Sequence, residues 1–207
     1  EDDVLLYTLR VYFNSLWESD TLEKINKIIS ESNSIDFIKS FSASLSTSFE
    51  NLSQFFGKHE REIFAIHSLV SLGGIAVALP FIIKAYMYNL PLDDICKLSS
   101  SLESLVLRHR LIGTRADIVS RINDVFENFN ERNKDISPIV DRIEWMKTAI
   151  DWWWAYWNDD RLSDSLQGAL NHSVAKYLLW KYEIVLEQKG TAGYSPTRFD
   201  RIISPEL

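Results

Sequence analysis

The sequence has one cysteine, Cys96, in 207 residues. No internal disulfide can form, and the lone thiol suits a reducing compartment. Ile95 and Leu98 stand beside it, so Cys96 reads as a small core residue rather than a reactive thiol. Seven glycines and five prolines leave little room for long irregular stretches. Histidine is also scarce: His59, His67, His109 and His172 stand singly. His59-Glu60 begins like a zinc-protease helix, but Ile63 occupies the position where the second histidine is required. No Glu precedes a His at the three-residue offset of di-iron bundles, so no metal-ligand spacing is present. There is no Gly-x-Ser-x-Gly elbow, and no Gly-Lys-Ser/Thr follows Gly73-Gly74. Positive charge is short as well: the net charge of −7 argues against a nucleic-acid sheath over the whole surface, though not against a local basic patch. The chain opens on Glu1 with no basic-then-apolar leader, and is expected to be a cytoplasmic segment of something longer.

What the sequence has in quantity is aromatic side chains, with seven Trp, eight Tyr and eleven Phe, and helical periodicity. Val4–Trp17 predicts a first helix. Asp20 with Glu23, and Asn33 with Asp36, are capping-type starts for the next two. Ser40–Ser48 alternates with apolar residues as a strand would. The wider set Ile38, Phe41, Leu45, Phe49, Leu52 and Phe56 instead fits a helix ending at Gly57, and the longer template is preferred. Ile63–Ile83 carries no formal charge and is long enough to cross a bilayer. Gly73-Gly74 and Pro80 divide it, so two buried helices are expected, one to Leu72 and one through Tyr88. Pro91 with Asp93 and Asp94 opens a helix that Gly113 stops. Thr114 with Asp117 opens the next, with the stripe Ile118, Ile122, Val125, Phe126 and Phe129. Ser137-Pro138 opens a helix expected to run through Met146, Ile150 and the tryptophans. Asn158-Asp159-Asp160 ends it and starts Leu162–Leu170. Asn171–Gln188 is a long helix with Val174, Leu178, Tyr182, Val185 and Leu186 on one face and Gly190 past its end. The fold expected is all-α: an irregular bundle of roughly nine or ten helices with short connections, residues 1–189 forming the domain and 190–207 a loop and lead-in.

Two stretches are candidates for contact. Arg108-His109-Arg110, with Arg115 and Arg121 close by, is the densest basic cluster, and convergent guanidiniums could grip phosphates in pairs of hydrogen bonds. The plainer reading is that these arginines complement a helix C-terminus and pair with Glu103, Asp117 or Asp124. Trp152-Trp153-Trp154-Ala155-Tyr156-Trp157 is the most unusual run. On a helix three adjacent indoles cannot share one face, so either the helix is buried nearly all round or an indole such as Trp153 is exposed and free to stack on a base. The nucleic-acid candidates are therefore Arg108, Arg110, Arg115 and Trp153. No catalytic residue, metal ligand or cofactor site is predicted in this segment. The acidic pairs Asp93/Asp94 and Asp159/Asp160 offset exposed amides at helix starts.

Ala175-Lys176-Tyr177-Leu178-Leu179-Trp180-Lys181-Tyr182-Glu183 and the tail Phe199-Asp200-Arg201-Ile202-Ile203-Ser204-Pro205-Glu206-Leu207 resemble one stretch of GmrSD-type modification-dependent restriction endonucleases. It is the stretch just upstream of the HNH nuclease motif in these bacterial defence proteins. In that family a helix like Val174–Glu187 leads through a Gly-containing loop into Ile-Glu-His-Ile-x-Pro, where the nuclease begins. Leu207 is the last residue here, where that motif would be expected. The family's N-terminal ParB-like domain carries an Asp-Gly-Gln-Gln-Arg motif tied to nucleotide hydrolysis. That motif and the HNH His and Asn residues are absent, so no family catalytic residue maps onto this chain. The resemblance implies the helical middle of such a protein. Its partners would be the other domains of the same parent chain, with DNA as a further one, and the parent would use a nucleoside triphosphate and a divalent metal.

Overall fold

The computed structural model describes residues 2–19, 21–31 and 34–190. Among them the fold is all-α, with no strand and one isolated bridge, Asn130 to Asn133. Ten helices of two turns or more and one single-turn helix follow in order: α1 (Asp2–Tyr12), α2 (Thr21–Glu31), α3 (Ser34–Gln54), a π turn (Phe55–His59), α4 (Glu60–Glu62), α5 (Phe64–Leu72), α6 (Leu79–Met87), α7 (Leu92–Ile112), α8 (Val119–Asn128), α9 (Ser137–Met146), a 3-10 turn (Ala155–Trp157), α10 (Asp159–Leu166) and α11 (His172–Gln188). The expected caps at Asp20 and Asn33, and the tail Phe199–Leu207, lie outside the described residues.

The uncharged run 63–83 folds as two short helices, because Gly73 and Gly74 take φ of +70° and +66°. A β-carbon is strained there, so glycine allows the reversal. Pro80 sits in the first turn of α6, where its missing N–H has no bond to make. Every residue from Leu79 to Tyr86 is buried, so α6 is the centre of the fold. No described helix is long and apolar enough to cross a membrane. Around α6 pack α1, α3 and α7, and α7 in turn contacts α5, α9, α10 and α11. The main core joins Leu52, Phe55, Phe81, Leu98, Phe126, Ile139 and Trp157. A smaller cluster of Leu72, Val106, Tyr177 and Trp180 seats α11. By contrast α2 buries no residue.

Several expectations are corrected. The first helix stops at Tyr12 and does not reach Trp17: Asn14 turns left-handed at φ +53°, a conformation that asparagine tolerates. Gly57 does not end α3. The chain widens into the π turn and stays helical to Glu62. α8 begins at Val119 rather than Thr114, with Ile118 at its N-cap and Asp117 Oδ1 just ahead accepting from Val119 N at 2.9 Å. α9 ends at Met146, and the tryptophans that follow lie in a turn, not a helix. α10 ends at Leu166, short of Leu170. The buried face of α11 is Val174, Tyr177 and Trp180, whereas Tyr182 and Val185 are exposed. Cys96 is half-buried instead of fully inside, and burial and Asp93 push its thiol upward.

Candidate functional site

The arginines of the basic cluster diverge into the fold. Arg108 donates from Nη1 to Trp157 O at 3.0 Å and from Nη2 to Asp159 Oδ1 at 2.6 Å, tying α7 to the start of α10. Arg110 donates from Nη1 to the carbonyls of Leu72 and Gly73 and from Nη2 to Ser173 Oγ, and its stem lies against Gly74. It thus fastens the glycine turn to α7. Arg115 is exposed in the α7–α8 connection. Arg121 is buried: it donates to Asp117 O, Ser120 Oγ and Trp153 O, and its guanidinium carbon lies 3.6 Å from the Trp153 ring centroid.

The tryptophan segment is a loop with its ends pinned together. Asp159 N donates to Lys147 O at 2.8 Å, and Asn158 Nδ2 donates to Ala149 O at 2.9 Å. Asn158 Oδ1 caps α10 by accepting from Arg161 N. Within the loop Asp151 is a second cap: its Oδ1 accepts from Trp153 N, and its carbonyl accepts from Trp154 N and Ala155 N. Trp157 is fully buried, and its indole N–H donates to His109 Nδ1 at 3.2 Å. That bond needs a neutral His109, and burial lowers the histidine's pKa in the same sense. Outside this root, Arg121 backs Trp153, which meets Trp152 edge to face at 5.5 Å. Arg142 lies 5.0 Å from Trp154, which meets Trp145 at 4.9 Å. Arg142 also grips both oxygens of Asp124. Burial opposes that charge, but the bidentate bond outweighs it and holds Asp124 below its ordinary range.

Three polar knots carry no sequence signal. Lys84, fully buried, donates to Asn14 Oδ1, to Phe126 O at 2.6 Å and to Phe129 O at 2.7 Å. Three acceptors match the three protons of an ammonium. Burial nevertheless pushes Lys84 down to about 7, with Glu127 pulling the other way. Tyr177 donates to Glu103 Oε1 at 2.6 Å and is within reach of Ser68 O, while Lys181 pairs with Glu103 at 3.1 Å. Glu60 Oε1 lies 2.6 Å from His67 Nδ1, with Ser71 Oγ at 3.3 Å from Nε2 and 3.5 Å from Nδ1. A serine almost equidistant from both ring nitrogens is off the Nε2 lone-pair axis, which is not the geometry of an activated nucleophile.

Among the described residues no three His, Cys, Asp or Glu side chains converge as a metal site. A groove of about 330 Å³ beside Asn51, Gln54, His59 and Tyr86 is shallow, and its His59 Nδ1 and Tyr86 hydroxyl are already bonded to each other at 2.6 Å. Ile150 and Trp152 are 88% and 75% exposed, which the sequence does not reveal because its periodicity continues the preceding helix through both. The Asp151 and Asn158 capping residues were the available signal. No family model, curated protein or solved structure matches the chain.

Proposed function

We propose that this chain is a helical scaffold, not catalytic by itself, forming the middle of a GmrSD-type restriction endonuclease. It would hold a nucleotide-hydrolysing ParB-like domain and an HNH nuclease in register, in a cytoplasmic bacterial defence protein. The observation that carries the scaffold reading is the Lys84 knot. One buried ammonium joins α6 to the turn after α1 and to the end of α8. Glu103 does the same for α7 and α11. Buried charges bonded in this way fix elements against one another, which is what a spacer between two working domains needs. The family assignment rests on the likeness of Ala175–Glu183 and the tail. The alternative is DNA contact through Arg108, Arg110, Arg115 and Trp153. It draws its support from Arg115, which is exposed, since Arg108 and Arg110 are engaged with the chain's own carbonyls.

Two measurements test the proposal. Purified 1–207 with magnesium is expected to turn over neither DNA nor a nucleoside triphosphate, and turnover would overturn the scaffold reading. The reading frame beyond Leu207 is expected to encode an HNH nuclease, and a frame without one would overturn the family assignment alone.

A further inference from the structure

We infer that the tip of the pinned loop, Ile150 to Trp153, is a docking surface for a basic, amphipathic segment of a partner protein. The inference stands whether or not the chain is the middle of a nuclease. Ile150 and Trp152 are 88% and 75% exposed, and Trp153, which meets Trp152 edge to face, is exposed as well. Apolar side chains so open to water usually sit on segments that can collapse. This one is held: the Lys147–Asp159 backbone bond closes its ends, Asn158 clasps Ala149, and Asp151 fixes the turn from within. Arg121 props Trp153 from behind. A large, rigid, presented indole loses little freedom on binding and is the residue type that dominates interface energetics.

Charge selects the occupant. A groove of about 200 Å³ runs beside Ile150 and is lined by Lys147, Thr148, Asn158, Asp159 and Asp160. Lys147 is paired with Glu144 and Asp159 with Arg108. Among the described residues neither Asp151 nor Asp160 has an ion-pair partner, and both are exposed. The nearest exposed cation in sequence is Arg161. Exposed carboxylates without an ion-pair partner beside an apolar tip disfavour nucleic-acid phosphates and anionic lipid headgroups. They also disfavour a symmetric pair of copies, which would bring like charges together across the axis. A segment carrying Lys or Arg next to Leu or Phe satisfies both features: its apolar residues cover Ile150 and Trp152, and its cations meet Asp151 and Asp160.

The test is fluorescence anisotropy of two labelled peptides titrated with the full 207-residue chain. Both peptides carry the same amphipathic Leu/Phe pattern, one with Lys and Arg at the polar positions and one with Glu. The basic peptide is expected to bind and the acidic one not. Ile150→Ser with Trp152→Ser should weaken the basic peptide at least about tenfold. Asp160→Asn should weaken it less, chiefly at low salt. Leu179→Ser, on the exposed face of α11, should leave it unchanged. Circular dichroism confirms that each variant is folded, and Asp160→Asn keeps the test decisive if the double variant is not. The inference fails if the basic peptide does not bind, or if the variants bind it as wild type does. It also fails if a single-stranded oligonucleotide is the ligand that Ile150→Ser and Trp152→Ser remove, or if those changes disperse a dimer in sedimentation.

Discussion

Lys84 and Arg121 are both buried cations resting on an aromatic ring, 3.5 Å from the Phe126 centroid and 3.6 Å from the Trp153 centroid. They do opposite work. Phe126 is itself fully buried, and the ammonium's protons end on acceptors from two other parts of the chain, so the contact closes the fold. Trp153 keeps part of its surface in water with Trp152 beyond it, so the Arg121 contact holds a surface feature upright. A cation on a ring therefore has no fixed meaning. What lies on the far side of the ring decides whether the pair stabilises the interior or displays something outside it.

The comparison is broken most directly at Lys84. Lys84→Met leaves the Phe126 and Phe129 carbonyls unpaired in the core and is expected to lower stability by about 3 kcal/mol in urea unfolding. The same residue sets a pH dependence. Its folded pKa, about 7, lies below the usual 10.5, so between these values the unfolded chain binds more protons and stability rises with pH. Above about pH 10 the sign reverses. Burial raises the phenols of Tyr86 and Tyr177, so the unfolded chain ionises first and stability falls. Denaturant midpoints from pH 6 to 11 should trace this maximum, and Lys84→Met should lose the rise between 7 and 10. Tyr177→Phe deprives the buried Glu103 of a donor and is expected to lower stability by about 2 kcal/mol. Arg121→Lys loses the flat stack on Trp153 and some of the bonds to Trp153 O, with an expected loss of about 1 kcal/mol and a red shift in indole emission. Trp152→Ser, at the display end, should change stability by less than about 0.5 kcal/mol. A large destabilisation there would erase the contrast.

Local signals made much of the fold legible. Gly113 ends α7 at φ +64°, Asn171 caps α11 through its side chain, and Asn158 caps α10, all where the residue types placed them. The all-α bundle followed from these and from periodicity. Periodicity failed where tertiary partners chose between two readings. Val174 starts both an offset-four stripe through Leu178 and Tyr182 and an offset-three stripe through Tyr177 and Trp180. Contact with Leu72 and Val106 selects the second. After Met146 the chain lacks a breaker, so periodicity alone continues the helix, yet Asp151 captures the amides of the next turn. The basic cluster was visible as composition, but not its purpose. Arg108 and Arg110 bond to Trp157 O and Leu72 O, and that distance along the chain carries no local trace. Lys84 was invisible for the same reason, being only a lysine after an apolar run.

One uninterrupted strut bears on how a displacement travels through this fold. α7 spans 21 residues from Leu92 to Ile112 without a glycine or proline, about 32 Å at 1.5 Å per residue. Its second half anchors the ties to Tyr177, Trp157 and Leu72. With no glycine or proline to kink it, α7 is expected to pass a displacement near Pro91 to the seat of α11 as a shift of the rod more than as a sharp bend.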